Sequence, residues 1–159
     1  MTHVRPMVPE DATALAAVWH EAWHDGHGAL LPPALIAIRG LDAFEAAAPR
    51  LTHPVLVAEL GGTVAGFVGY EGAMIEKLFV ARTARGRGVA SALMAAAEAE
   101  MRAAGHKTAV LDYVAGNLRA ARFYAREGWR IARQEDDEID TPEGPAGFVA
   151  VICEKDLGA

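Results

Sequence analysis

The chain has 159 residues, 52% of them hydrophobic, a net charge of −6 and a single cysteine, Cys153. That length suits one domain spanning 1–159, and one cysteine excludes an internal disulfide. No stretch approaches the roughly 20 consecutive apolar residues of a membrane span, and the opening Met-Thr-His-Val-Arg-Pro lacks a signal peptide's apolar core, so a soluble cytoplasmic protein is expected.

In chain order, a short strand near Val4–Met7 precedes a helix from about Asp11, with Asp11 as N-cap and Leu15, Val18, Trp19 and Ala22 as its apolar face. Gly26, Gly28, Pro32 and Pro33 predict a break and a loop, then one helix over Ala34–Ala47. Val55–Leu60 and Val64–Tyr70 are β-rich and joined by Gly61-Gly62, a hairpin signal. Met74–Val80 makes the next strand. A helix over Val89–Ala103, a strand at Thr108–Val114, a helix opening at Asn117, and closing strands at Trp129–Gln134 and Phe148–Glu154 complete a mixed α/β sheet.

Charge is unevenly spread along this order. Residues 82–133 carry ten Arg or Lys against four Asp or Glu, whereas 134–147 hold six acidic residues and no basic one. The acidic run reads either as a solubilising loop between the last two strands or as a wall that attracts a cationic amine. The overall acidity argues against nucleic acid as a partner, and nothing calls for a membrane.

The stretch from Leu78 to Met94 is the most informative. An apolar strand runs into Ala81-Arg82-Thr83-Ala84-Arg85-Gly86-Arg87-Gly88 and then into the alanine-rich helix. Gly86 and Gly88 carry no side chain to obstruct an anion, and the helix start offers free N–H groups and the positive end of the dipole. A P-loop is excluded because no Lys follows Gly88, and Ser91 is a poor third glycine for a dinucleotide fingerprint. By itself the pattern does not separate a pyrophosphate cradle from an ordinary strand-to-helix turn with solvated arginines.

A second segment runs from Asn117 through Ala120, Phe123 and Tyr124 to Gly128-Trp129. Asn117 is a good N-cap and Gly128 a good C′ residue, which bounds a helix of about three turns. Together the two segments resemble the GNAT superfamily of N-acetyltransferases. Arg85, Gly88 and Ala90 match that family's Arg/Gln-x-x-Gly-x-Gly/Ala motif. Asn117, Ala120, Phe123, Tyr124 and Gly128 match its Asn-x-x-Ala-x-x-Phe-Tyr-x-x-x-Gly-Phe pattern, with Trp129 replacing Phe.

The resemblance implies a GNAT-like, mostly antiparallel sheet of six to seven strands with about four helices, splayed between the fourth and fifth strands. It implies acetyl-CoA as co-substrate, held by Phe79, Val80, Arg85, Gly86, Arg87, Gly88, Val89, Ala90, Asn117 and Tyr124. The expected reaction is direct attack by an amine of a small molecule or peptide in a ternary complex. Tyr124 is the expected general acid for the departing thiolate; its alternative is an aromatic packing residue. Glu76 is the base candidate, Asp112 a weaker rival, and a water chain would serve if neither is near.

Trp23, His24 and His27 are expected to line the acceptor pocket; the alternative makes the tryptophan core and the histidines solvated. His20, His24 and His27 recur at i, i+4 and i+7, but a zinc set would need the helix to persist past Gly26, and no metal is expected. Cys153 reads as a buried thiol in an apolar strand. A homodimer is left open. Two other readings remain beside the transferase: a non-catalytic acyl-CoA-binding or sensory domain, and a transferase for another acyl-CoA.

Overall fold

A computed structural model describes residues 1–158. Seven strands form one sheet in the order β1-β2-β3-β4-β5-β7-β6: β1 (Thr2–Pro6), β2 (Val55–Leu60), β3 (Thr63–Glu71), β4 (Met74–Val80), β5 (Thr108–Val114), β6 (Arg130–Thr141) and β7 (Gly144–Asp156). Five helices accompany it: α1 (Ala12–His27), α2 (Pro33–Ala37), α3 (Leu41–Ala47), α4 (Val89–Ala103) and α5 (Leu118–Arg126). Among the described residues no helix is long and apolar enough to cross a membrane.

All pairings are antiparallel except β4 with β5, which run parallel and share one registered pair, Met74↔Val110. Beyond that pair the rest of β4 has no partner on β5, so the two strands part as a wedge. That is the splay expected from the resemblance. Parallel strands need a crossover, and α4 supplies it.

The strands bury both faces. On β2, Leu56 and Ala58 point towards Leu93, Met94 and Met101 of α4, while Val55 and Val57 face Leu15, Trp19 and Phe44 of α1 and α3. Burial on both sides explains why β2 reads as an unbroken apolar run. Trp19 meets the Phe44 ring at 5.1 Å and the Phe67 ring at 5.9 Å, both edge-on.

Four expectations need correction. Gly26 does not end α1; the helix continues through His27, with the Gly28 N–H donating to the His24 carbonyl at 2.9 Å. Tertiary contacts outweigh the roughly 1 kcal/mol helix penalty of one glycine. Asp11 stands at the start of α1 but caps nothing there. Its carboxylate accepts from both Arg5 guanidinium nitrogens at 2.8 and 2.9 Å and from the Val8 N–H at 2.8 Å.

The third concerns Ala34–Ala47, which is two helices, because Gly40 adopts extended backbone between them. Fourth, the acidic run is no loop: β6 carries it in register with β7, Asp137 opposite Phe148 and Asp140 opposite Pro145. Ile139 and Phe148 join the core under α1 and α3, which draws the hairpin onto the sheet. The charges then line the outer edge strand, where they oppose pairing with another chain's strand.

Candidate active site

The turn between β4 and α4 is built by glycines that only their backbone conformation explains. Gly86 and Gly88 take φ of +75° and +79°, a left-handed region that strains any residue with a Cβ. The first intrahelical bond of α4 runs from Ala92 N–H to Gly88 O at 3.0 Å. The amides of Val89, Ala90 and Ser91 therefore have no intrahelical acceptor and stand at the positive end of the dipole.

These amides open onto a cavity of about 410 Å³ in the β4–β5 wedge. Leu78, Phe79 and Val80 form one wall, and Asn117, Ala120, Phe123 and Tyr124 of α5 form the other. Ala22, Gly26 and His27 close it from the end of α1. The approach is tight there: a Cβ at Gly26 would lie 3.2 Å from the Asn117 side-chain nitrogen. Of the expected cofactor residues, Phe79, Val80, Arg85, Gly86, Gly88, Val89, Ala90, Asn117 and Tyr124 line this cavity. Arg87 does not; it borders a separate recess beside Leu60 and Thr63.

Helix α5 starts on Asn117, whose side-chain oxygen accepts the Ala120 N–H at 3.2 Å. That bond fixes the helix so that Tyr124 faces inward. The Tyr124 ring stacks on Tyr113 at 5.8 Å and meets Phe123 and Trp129 edge-on at 5.4 and 6.4 Å. Burial, reinforced by Cys153, Asp112 and Tyr113, pushes its phenol well above the ordinary value. It keeps its proton at neutral pH.

Positive charge converges on the mouth. Arg85, Arg119, Arg122 and Arg126 all line the cavity, and Arg82 flanks the turn. Burial, then the nearby Arg85 and Arg82, hold Arg119 below the usual guanidinium range, with Asp25 pulling the other way. Asp25 on α1 accepts from Arg82 Nε at 3.0 Å, Arg82 Nη2 at 2.7 Å and Arg85 Nη2 at 2.9 Å. The Arg82 guanidinium first, then Arg85, depresses the Asp25 carboxyl to about 2. Sequence reading missed Asp25, because nothing local marks a partner 57 and 60 residues away. Arg119, Arg122 and Arg126 recur along α5 at i, i+3 and i+7, but nothing local in the sequence marks them as a cavity wall.

The other expected residues sit on the α1 face of the wedge. Glu76 is exposed on β4 and lies at a bulge between β3 and β4, outside the cavity walls. Asp112 faces it electrostatically: burial first, then Glu76, Asp137 and Glu135, raise its carboxyl. The acidic strand β6 and the two carboxylates thus share one electrostatic neighbourhood.

Trp23 is buried against Phe44 and its neighbouring histidines, with the Arg39 guanidinium 5.5 Å above its ring. The His24 Nε2 bonds the Arg39 carbonyl, and the His27 Nδ1 bonds the Trp23 carbonyl at 2.9 Å. Because a carbonyl only accepts, the His27 proton sits on Nδ1. Burial lowers its pKa, His24 adds to that, and the Trp23 carbonyl opposes it. Of the three, only His27 lines the cavity. Although α1 does persist past Gly26, no cluster of three metal-ligating side chains occurs among the described residues. Cys153 is buried, and burial raises its thiol, so it stays protonated.

Fold and cavity together define an α/β protein with an arginine-lined cavity between two diverging parallel strands. Residues 14–129 match the model of the acetyltransferase (GNAT) family, and the chain belongs to that family. No curated protein sequence matches significantly. Among solved structures, the chain is similar to the GCN5-related N-acetyltransferase from Rhodopseudomonas palustris, at 24% identity over 98% of this chain and 96% of that one, with a TM-score of 0.78. The PaiA N-acetyltransferase from Thermoplasma acidophilum, solved with coenzyme A, is 18% identical over 98% and 99%, with a TM-score of 0.71. YncA from Salmonella typhimurium, solved with acetyl-CoA, is 19% identical over 100% and 95%, with a TM-score of 0.69. At these identities the likeness speaks for the fold.

Proposed function

We propose that the protein is an acetyl-CoA-dependent N-acetyltransferase that passes the acetyl group directly to a primary amine in a ternary complex. The observation that carries this reading is the glycine turn opening α4 at the mouth of the β4–β5 wedge, ringed by arginines that outnumber their acidic partner. Free amides and guanidinium forks suit a pyrophosphate, and the remaining arginines suit a further phosphate. Leu78, Phe79 and Phe123 give the wedge an apolar stretch, suited to a pantetheine arm.

Acetyl-CoA supplies the activated thioester. Against expectation, the Phe79 backbone is spent on Phe67 of β3, so it is the Val80 backbone, facing the wedge, that orients the arm and whose N–H polarises the acyl oxygen. Asn117 offers its side-chain nitrogen to the arm while its oxygen remains the helix cap. Tyr124 gives its proton to the departing sulfur. The burial that raises its phenol also raises the proton affinity of a thiolate leaving beside it, so the two stay matched.

Glu76 takes the proton from the amine, helped by the neighbouring Asp112 carboxylate. The acidic strand β6 favours a cationic amine over a neutral or anionic acceptor. His27 lines the acceptor side, neutral at physiological pH. With Cys153 buried and protonated, direct attack is preferred to an acyl-cysteine route.

Isothermal titration with acetyl-CoA tests the reading. Micromolar binding is expected, and it should vanish in an Arg85→Ala/Gly88→Glu double variant that strains the turn and adds a negative charge. Absence of binding by the unaltered protein would overturn the assignment.

A further inference from the structure

We propose that Asp25 is a positioning residue that stands in for the cofactor's phosphates: it holds Arg82 and Arg85 until an anion takes Arg85 from it, which couples cofactor binding to the last turn of α1. The inference rests on the reading of the wedge as an acetyl-CoA site.

Asp25 is poorly placed for its own helix. It lies two residues before the end of α1, where the negative end of the dipole repels a carboxylate. Its contacts account for it instead. It receives three hydrogen bonds from two arginines, and one turn earlier Glu21 accepts the Arg82 backbone N–H at 2.6 Å. The end of α1 is thus fastened to the cofactor turn, across 57 to 61 residues of chain.

The two arginines are not equivalent. The Arg82 side chain is 62% exposed, whereas Arg85 is 25% exposed and lines the cavity. Arg82 grips Asp25 through both Nε and Nη2, but Arg85 spends one nitrogen on it. Arg119 stands near enough to feel all three. Two guanidinium groups hold the one carboxylate and a third lies within electrostatic reach, which leaves two positive charges in excess for a ligand. Arg85 both donates to Asp25 and lines the cavity, so a phosphate bound there competes with Asp25 for its guanidinium.

Losing Arg85 leaves Asp25 on the solvent-exposed Arg82 alone, a weaker tie for such a pair. The residues directly after Asp25 are Gly26, against Asn117, and His27, which lines the cavity and which the proposed function puts on the acceptor side. Cofactor binding therefore loosens the segment that shapes the acceptor side. By linkage, whatever tightens that segment opposes the cofactor.

Titration with coenzyme A and with pantetheine, which lacks the phosphates, separates the possibilities. Asp25→Asn removes the competing charge, so coenzyme A should bind roughly fivefold tighter at low salt, the low end for coupled sites, while pantetheine affinity is unchanged. Asp25→Glu should restore the original affinity. In the unaltered protein, hydrogen exchange at the amides of His24 to Gly28 should quicken when coenzyme A is added, a readout that does not depend on any variant folding. Unchanged or weaker coenzyme A binding in Asp25→Asn, or slower exchange on binding, overturns the role of Asp25 alone. Failure of the unaltered protein to bind coenzyme A overturns the function as well.

Discussion

The two sides of the wedge are built on opposite plans. The cofactor side is basic and assembled from short contiguous segments: Arg85 to Ala90 make the turn and Asn117 to Gly128 make the facing helix. The α1 side is acidic and aromatic, and assembled from distant pieces: Trp19 to His27, Phe44, Glu76, Asp112 and the β6–β7 hairpin. The difference matches what the proposed function asks each side to recognise. An anion of fixed shape is met by backbone amides and guanidinium forks, whose geometry a few residues can set. The α1 side is shaped by packing, where each side chain's position depends on others far along the chain.

If that contrast holds, damage to one side should spare the other. The largest expected effect is on stability. Phe44 is 2% exposed and its ring touches Trp19, Trp23, His20 and His24, so Phe44→Ala should cost about 3–5 kcal/mol in chemical denaturation. Acetyl-CoA affinity of the folded fraction should stay within a few-fold. A loss of cofactor binding as large as the loss of stability would show the two sides to be one unit.

Next in size is Tyr124→Phe. It should lower kcat by ~10²-fold, close to 2.7 kcal/mol of barrier, with acetyl-CoA binding nearly intact. Unchanged turnover across pH 7–9 would remove Tyr124 from the acid role and leave it as a packing residue among Tyr113, Phe123 and Trp129.

The smallest effect separates two neighbouring groups at the end of α1 by pH. His27 has its folded pKa below the ordinary 6.5, so the unfolded chain binds more protons as pH falls below 6.5. Its contribution is complete above 6.5 and is lost progressively as pH falls from there towards the folded value. Asp25, depressed to about 2 from 3.8, contributes above 3.8 and loses that contribution between those values. Denaturation curves should therefore show a decline beginning below pH 6.5 that is absent in His27→Gln, well separated from the decline below 3.8 to which Asp25 contributes. A decline in His27→Gln identical to that of the parent would take His27 out of this role.

The cofactor side was legible in the sequence because its signals are local. A glycine that must take φ of +79°, an asparagine that caps three residues on, and the strand of β4 each declare themselves within one turn of chain. From these the strand–turn–helix unit, the bounds of α4 and β5, and the family resemblance could all be read. What failed was decided at a distance. Gly26 reads as a stop, yet helix α1 runs through it, its end pinned to Arg82 and Arg85 and seated against Asn117. The acidic run reads as loop, yet pairing with β7 and burial of Ile139 and Phe148 make it a strand.

By itself, then, the sequence determined most of the element order, the glycine turn and the family, because backbone conformation and caps are set by neighbours a few residues apart. Only the tertiary structure decided that one carboxylate on α1 answers the cradle's arginines and that an acidic edge strand faces Asp112. Such contacts are electrostatic and packing terms between segments whose separation in sequence leaves no local trace.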